Sequence, residues 1–235
     1  MSAVPSELRA RLAGDYRPVR ALRSPWTRAL GVVPLGLMAL LAAPIVFDIR
    51  PDALRLGWVG VWGFSLLQSA IGFAVVAAAL RESVPGRGWS RGAIALWLLL
   101  PIVAIVAVTM TSWQVSPAML RGQWWVVFGM CLSGSAATAL PVVALGSVLA
   151  ARAYPTRPAL AGALLGLGAG LMADAGWRIF CHFSEPAHVL SAHLAAVAMS
   201  AVIGALVSVR LTTFAEATVV EKPDTTGTTR GTLAR

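Results

Sequence analysis

The chain has 235 residues and a formal net charge of +9 at pH 7; 57% of its residues are hydrophobic and 12% are charged. A soluble domain carries about 25% charged residues, whereas this chain contains several uncharged runs of about 20 residues, the length that crosses a hydrocarbon core of about 30 Å. The composition therefore excludes an ordinary soluble domain and predicts an all-α, polytopic membrane protein.

Residues 1–28 precede the first apolar run and contain six arginines. Leu8 and Leu12 are spaced for one face of a short helix, which Ser6 could cap and Gly14 could end. One interpretation is an amphipathic anchor on the inner leaflet, since each arginine near anionic lipid contributes about 1 kcal/mol. The other is a docking peptide that folds on a cytoplasmic partner. The residues alone leave both open.

Six apolar segments follow, and each is long enough to be a transmembrane helix. We predict spans at 29–47, 56–80, 92–111, 125–150, 159–180 and 189–209. Together they form a predicted membrane domain of residues 29–210. The remaining tail, 211–235, is polar and lacks apolar periodicity, so we predict that it is disordered.

The basic residues outside these spans are distributed unequally between the two sides of the membrane. One side has six in the N-terminal segment, three between spans two and three, two between spans four and five and four in the tail, while the other side has four. The positive-inside rule then places both termini in the cytoplasm. The net charge is therefore a topology signal, and we predict no direct contact with nucleic acid.

The two cysteines are predicted to lie near one level at the outer boundary. Cys131 is 21 residues from Arg152 and Cys181 is 24 residues from Arg157, which correspond to about 31 and 36 Å of helix. They could be buried small hydrophobic residues. They could instead be a pair that forms a disulfide in an oxidising compartment or binds a soft metal, with His182 as a further ligand or as the group that lowers a thiol pKa.

Span five carries glycine or ionisable residues at successive i+4 positions, namely Gly162, Gly166, Gly170, Asp174 and Arg178. The glycines allow another helix to approach closely, and we expect that helix to be span four, through the small residues on the face of Cys131. Asp174 must avoid lipid, and Arg178 one turn later is its expected partner in an intramembrane ion pair. This face would turn Cys181 into the bundle.

The remaining histidines, His188 and His193, are five residues apart and so lie off a common helical face. We therefore favour solvated or interfacial histidines over metal or proton sensing.

Two other functions remain open: a small transporter or channel that uses Asp174 and Arg178, and a metal or haem protein with histidine ligands. No nucleophile–base arrangement or catalytic metal motif is present in the sequence, so we predict neither enzymatic activity nor a cofactor.

Three stretches of the sequence resemble a known family. They are "RPVRALRSPWTRAL" before span one, "RESVPGRGW" between spans two and three, and the stretch 131–193, which begins "CLSGSAATALPVV" and ends "WRIFCHFSEPAHVLSAH". In this order they resemble six-helix negative regulators of extracytoplasmic-function sigma factors of the sigma-F type. The similarity covers nearly the whole chain apart from the tail.

The resemblance implies an anti-sigma factor in the bacterial inner membrane whose N-terminal segment holds a sigma factor inactive. The stretch that would contact the sigma factor is roughly 8–26, and its side chains of interest are Leu8, Leu12, Arg20, Leu22 and Trp26. The resemblance also implies that Cys131 and Cys181 sense stress such as metals or oxidants. The chain departs from the family pattern in its histidine-rich segment after Cys181 and in its short N-terminal segment.

Overall fold

The computed structural model of the protein describes residues 5–7, 10, 21–117, 122 and 124–220, with side chains described as far as residue 214. These residues contain helices and no strands, and six of the helices are long and apolar enough to cross a membrane. They are α1 (Pro25–Phe47), α2 (Ala53–Glu82), α3 (Arg91–Val115), α4 (Trp124–Ala151), α5 (Pro158–Phe180) and α6 (Pro186–Phe214). The predicted all-helical class and six long apolar helices are confirmed.

The helices begin a few residues before the apolar runs that predicted them, because polar caps and prolines precede those runs. The hydroxyl of Ser24 accepts a hydrogen bond from the amide of Thr27 at 3.2 Å, so α1 begins four residues early. Ser90 caps α3 in the same way through the amide of Ala93, at 3.3 Å. Both α5 and α6 begin at a proline, which suits the first helical position because it has no N–H to leave unpaired.

Helix α5 is the central helix, and α1, α2, α4 and α6 bury almost all of it. A Cβ added at Gly166 would overlap the backbone carbonyl oxygen of Ser200, and one at Gly162 would overlap that of Gly204. The glycine stripe of α5 therefore packs on α6. The expectation that it packs on the Cys131 face of α4 is wrong, because the small residues of α6 match the stripe more closely than α4 does.

The contact between α4 and α5 uses the opposite arrangement, in which large side chains of α5 fill glycine positions of α4. Trp177 lies over Gly134, and Leu165 lies over Gly146. The indole Nε1 of Trp177 also donates a hydrogen bond to Thr138 Oγ1 at 3.1 Å. This contact fixes the rotation of α4 against α5 and therefore the direction in which the cysteine of α4 points.

Successive helices run in opposite directions, so their ends fall into two groups. The group that we call the cysteine end contains the α1–α2 and α5–α6 connections and both cysteines. The opposite group, the N-terminal end, contains the start of α1 and the α2–α3 and α4–α5 connections. There Glu82 forms an ion pair with Arg157 at 2.5 Å. Buried Arg28 donates hydrogen bonds to the backbone carbonyls of Leu80, at 3.3 Å, and Leu149.

Candidate thiol and imidazole site

Four side chains from three helical regions converge at the cysteine end of the bundle. Cys131 lies in the second turn of α4, Cys181 directly follows α5, and His188 and His193 lie at the start of α6. Each residue offers one sulfur or nitrogen atom, and these four atoms all lie within 4.8 Å of one another. All four side chains are at most 6% exposed. We call these residues the thiol–imidazole cluster.

The closest contacts in the cluster involve Cys181. Its sulfur lies 3.8 Å from the sulfur of Cys131 and 3.5 Å from Nε2 of His188. Both cysteines are free thiols. Apolar side chains, including Val127, Phe128 and Phe180, pack around them and limit contact with water.

A π-helical turn brings the two histidines into the cluster. Residues Val189–His193 form this turn, in which the repeat is wider than in an α-helix, so side chains five residues apart share a face. The imidazole rings of His188 and His193 are 5.3 Å apart and nearly perpendicular. Both rings are buried, so the expectation of solvated or interfacial histidines is wrong. That expectation assumed a regular α-helical spacing.

A buried carboxylate orients one of these imidazoles. Asp174 Oδ1 lies 2.7 Å from Nδ1 of His193, while its Oδ2 accepts a hydrogen bond from Gln68 Nε2 at 2.6 Å. The predicted partner, Arg178, also lies near this carboxylate, with Nε 3.4 Å from Oδ2. Its guanidinium donates a hydrogen bond to the hydroxyl of Thr109 on α3. The carboxylate therefore links α2, α5 and α6 in addition to its neighbour on the same helix.

Arg50 fastens the segment that carries Cys181, a role that the sequence did not suggest. Its guanidinium forms a two-point ion pair with Asp52, at 2.5 and 2.8 Å, and donates to Ser184 Oγ at 3.0 Å and the backbone carbonyl of His182 at 3.2 Å. Burial would raise the pKa of Asp52, but hydrogen bonds from Arg50 and from Ser116 outweigh it and hold the pKa below its usual value. The ion pair is therefore charged at neutral pH.

Removing this contact is expected to loosen the segment around Cys181. In an Arg50→Gln variant, alkylation of Cys181 by a maleimide should accelerate by at least about tenfold. This corresponds to a loss of about 1.4 kcal/mol from the free energy that keeps the segment closed. Arg55→Gln, at an exposed arginine near the same end, is the matched control. Equal alkylation rates in the two variants would show that Arg50 does not hold the segment closed.

A pocket of about 200 Å³ opens beside the two sulfur atoms. It is lined mostly by apolar side chains, which are Phe47, Ile49, Pro51, Val127, Met130, Phe180 and Phe183, together with Cys131, Cys181 and His182. His182, which the sequence placed with the cysteines, lies at this wall and not in the cluster. Its ring packs on Phe183 with centroids 4.0 Å apart.

The residues predicted to contact a sigma factor are described only in part. Leu8, Leu12 and Arg20 lie outside the described residues. Leu22 and Trp26 are 48% and 58% exposed at the N-terminal end. The ring of Trp26 leans toward Phe73 of α2, with centroids 6.1 Å apart.

The described residues form a bundle with six helices of membrane-spanning length and a buried thiol–imidazole cluster. The chain belongs to the family described as negative regulator of sigma F, whose model matches residues 12–214. It is therefore a negative regulator of a sigma factor, and the family resemblance seen in the sequence is confirmed. No curated protein and no solved structure matches the chain.

Proposed function

We propose that the protein is an anti-sigma factor of the bacterial inner membrane that holds an extracytoplasmic-function sigma factor through its N-terminal segment. A periplasmic metal or oxidant, sensed at Cys131 and Cys181, releases the sigma factor. The observation that carries this proposal is the pair of buried thiols 3.8 Å apart, at the end of the bundle opposite the N-terminal segment.

The surface of the bundle supports a lipid environment. Large apolar side chains cover its outside, among them Ile45, Val59, Val103 and Leu206, while charged and polar groups such as Asp174 lie inside. Proteins in water show the reverse preference, because exposed apolar surface and buried charge are both unfavourable there. Six helices of sufficient length satisfy their backbone hydrogen bonds internally, as a bilayer requires.

Orientation follows from the arginine distribution. The basic residues outside the helices are concentrated at the N-terminal end, which by the positive-inside rule faces the cytoplasm. The thiol–imidazole cluster then faces the periplasm, where oxidants and metal ions arrive. This placement lets one molecule receive a signal on one side and hold a transcription factor on the other.

The thiols can respond to an oxidant by forming a disulfide. A hydroperoxide would accept two electrons from the pair, an S–S bond would form between Cys131 and Cys181, and the O–O bond would break to give an alcohol and water. The bond requires the sulfur atoms to approach to about 2.05 Å. Because the sulfur atoms belong to α4 and to the residue that follows α5, we propose that closing the gap shifts one helix against the other.

Helix α4 offers a route from the thiols to the N-terminal segment. Cys131 and Leu149 are 18 residues apart on this helix, or about 27 Å. Arg28 is buried and donates a hydrogen bond to the carbonyl of Leu149, so the first residues of α1 are fastened to the cytoplasmic end of α4. Movement of α4 would then change how the preceding residues, including Trp26, are presented to the sigma factor.

The sigma factor is expected to contact Leu22 and Trp26 directly. Alanine at either position should weaken binding to the full chain by at least about tenfold, because an exposed aromatic or leucine anchor at an interface is worth about 1.4 kcal/mol or more. The measurement is affinity purification of the full chain from membranes, with identification and quantification of the bound cytoplasmic protein. Recovery of a sigma factor outside the extracytoplasmic-function class would overturn the assigned class.

Leu54→Ala is the matched control for this measurement. Leu54 is 90% exposed but lies at the cysteine end, on the other side of the bilayer in the proposed orientation. It should leave sigma-factor recovery unchanged. A loss as large as that of Trp26→Ala would indicate a general effect on the protein. Recovery from all three variants equal to that from the unmodified protein would rule out Leu22 and Trp26 as contacts.

A further inference from the structure

We propose that Cys131, Cys181, His188 and His193 form a tetrahedral binding site for one soft divalent cation such as Zn²⁺ or Cd²⁺, with Asp174 as the group that orients His193. The binding site stands on its own geometry, and only its regulatory consequence rests on the proposed function. The two histidines complete a ligand set that the cysteines alone would leave half filled.

Two distances between ligand atoms match those of a tetrahedral metal site. With metal–sulfur bonds of about 2.3 Å and metal–nitrogen bonds of about 2.0–2.1 Å, a tetrahedral site separates two sulfur atoms by about 3.8 Å and a sulfur from a nitrogen by about 3.5 Å. The distance from Cys131 Sγ to Cys181 Sγ is 3.8 Å, and that from Cys181 Sγ to His188 Nε2 is 3.5 Å. Cys181 is therefore at the separation from Cys131 and from His188 that coordination requires, and all four ligand atoms lie within 4.8 Å of one another.

The fourth donor, His193, is oriented for the same purpose. Its Nδ1 is paired with Asp174 at 2.7 Å, and its Nε2 is buried without a hydrogen-bond partner among the described residues. A buried nitrogen lone pair without a partner is unfavourable, and a cation at the centre of the cluster would satisfy it. Carboxylate–histidine–metal arrangements of this kind fix the tautomer and orientation of the ligand.

Charge balance favours a divalent cation with an affinity for sulfur. When the ion binds, each thiol loses one proton to solvent, and the two thiolates offset the two positive charges while both imidazoles bind as neutral donors. No electrons are transferred. The resulting site is neutral, which suits its burial. Two sulfur and two nitrogen donors select zinc-like ions over Mg²⁺ or Ca²⁺, which prefer oxygen ligands.

A pocket adjoins the two sulfur donors. The pocket of about 200 Å³ beside Met130 and Phe180 reaches both sulfur atoms from the cysteine end. The thiols in its wall would replace water as ligands of the ion. An ion in this pocket would lie beside the two cysteines of the cluster.

Metal binding would join three helices at one point. Cys131 belongs to α4, Cys181 directly follows α5, and the histidines lie at the start of α6, His188 just before the π-helical turn and His193 at its end. An ion binds best to the arrangement in which all four donors meet, and it stabilises that arrangement in proportion to its concentration relative to its dissociation constant. The same ligation would keep the thiols from forming a disulfide, so a metal and an oxidant would compete for one site.

The test is titration of the purified, reduced full-length protein in detergent with Co²⁺, whose visible absorption reports tetrahedral thiolate ligation, followed by competition with Zn²⁺. We expect one ion per chain and two protons released into weakly buffered solution. His188→Gln and His193→Gln should each weaken binding by at least about tenfold, and Asp174→Asn by about 10–100-fold. Helical content by circular dichroism identifies any variant that fails to fold.

His182→Gln is the matched control, since it removes the neighbouring imidazole that lies outside the cluster, and its affinity should equal that of the unmodified protein. Binding that survives both histidine substitutions unchanged, or a stoichiometry other than one, would overturn the proposed ligand set, as would a complete failure to bind.

Retention of the sigma factor is measured on the same preparations. If oxidant still releases the sigma factor while metal does not bind, only this inference fails; if metal binds but neither signal releases the sigma factor, the proposed function fails.

Discussion

Replacing both Cys131 and Cys181 with serine is expected to abolish release of the sigma factor under metal or oxidant challenge while leaving its sequestration intact. Serine is nearly the size of cysteine, and its hydroxyl can hydrogen-bond to Nε2 of His188, which lies 3.5 Å from the Cys181 sulfur. The bundle should therefore retain its packing but lose both disulfide formation and thiolate ligation. The measurement is the fraction of sigma factor that co-purifies with the protein before and after the challenge.

The expected size of this effect follows from the switch itself. Changing a sigma factor from 99% bound to 99% free requires about 5.5 kcal/mol of differential free energy between the two states. Disulfide formation and soft-metal ligation can supply this free energy only when the thiols are present. The double variant should consequently keep about the same bound fraction with and without the challenge.

Two further variants separate the roles of the thiols. Each single serine variant removes the disulfide, but leaves three of the four proposed metal ligands, so it should lose the oxidant response and keep part of the metal response. Ser191→Ala is the matched control because Ser191 lies near the cluster, in the π-helical turn of α6, and its hydroxyl donates to the carbonyls of Ala187 and His188 on the same helix. Release from the double variant equal to that from the unmodified protein would refute sensing at the cysteines.

The lengths of the apolar runs and the positions of the arginines beside them were sufficient to predict the helices and the common level of the thiols. A run of apolar residues of the right length has few alternatives to a helix. A helix also has a fixed rise, so the distance from Arg152 to Cys131 could be converted into height along the helix axis. Both inferences use local properties of the chain, which do not depend on how the helices pack.

The ligand geometry could not be predicted, because it depends on a departure from regular helix. On a regular α-helix, residues five apart such as His188 and His193 would lie on different faces. The π-helical turn brings them to one face. Nothing in the letters of the segment marks such a turn. The contacts of Gln68 with Asp174 and of Arg50 with Ser184 were likewise hidden, since each joins residues more than 100 positions apart along the chain.

Pairing of the helices was also beyond the sequence. The glycines of α5 indicated a close approach but did not name the approaching helix, because any small-residue face can fill that role. In the structure the face is that of α6, where Gly204 and Ser200 lie opposite Gly162 and Gly166. The small residues of α4 instead accept Trp177 and Leu165, so two helices with similar composition pack on α5 in different ways.

This close approach predicts a large effect of a single methyl group. Gly166→Ala should destabilise the bundle by about 1–3 kcal/mol or more, since the added Cβ overlaps the backbone of Ser200 and Ala201 and no flexible side chain can move aside. The thermal denaturation midpoint of the full chain in detergent, followed by circular dichroism, measures the effect. Because α6 carries both histidines, separation of α5 from α6 should also lower the affinity for Co²⁺.

Gly129→Ala provides the matched control on α4. Gly129 is helical as well, but an added Cβ there meets no atom within 4 Å, so the substitution should be neutral or should stabilise the helix by about 0.5–1 kcal/mol through reduced backbone freedom. Opposite signs at the two glycines would show that contact between α5 and α6, and not helix propensity, requires glycine at 166. A Gly166→Ala protein as stable as the Gly129→Ala protein would contradict the close packing of α5 on α6, and with it the arrangement that holds Asp174 against His193.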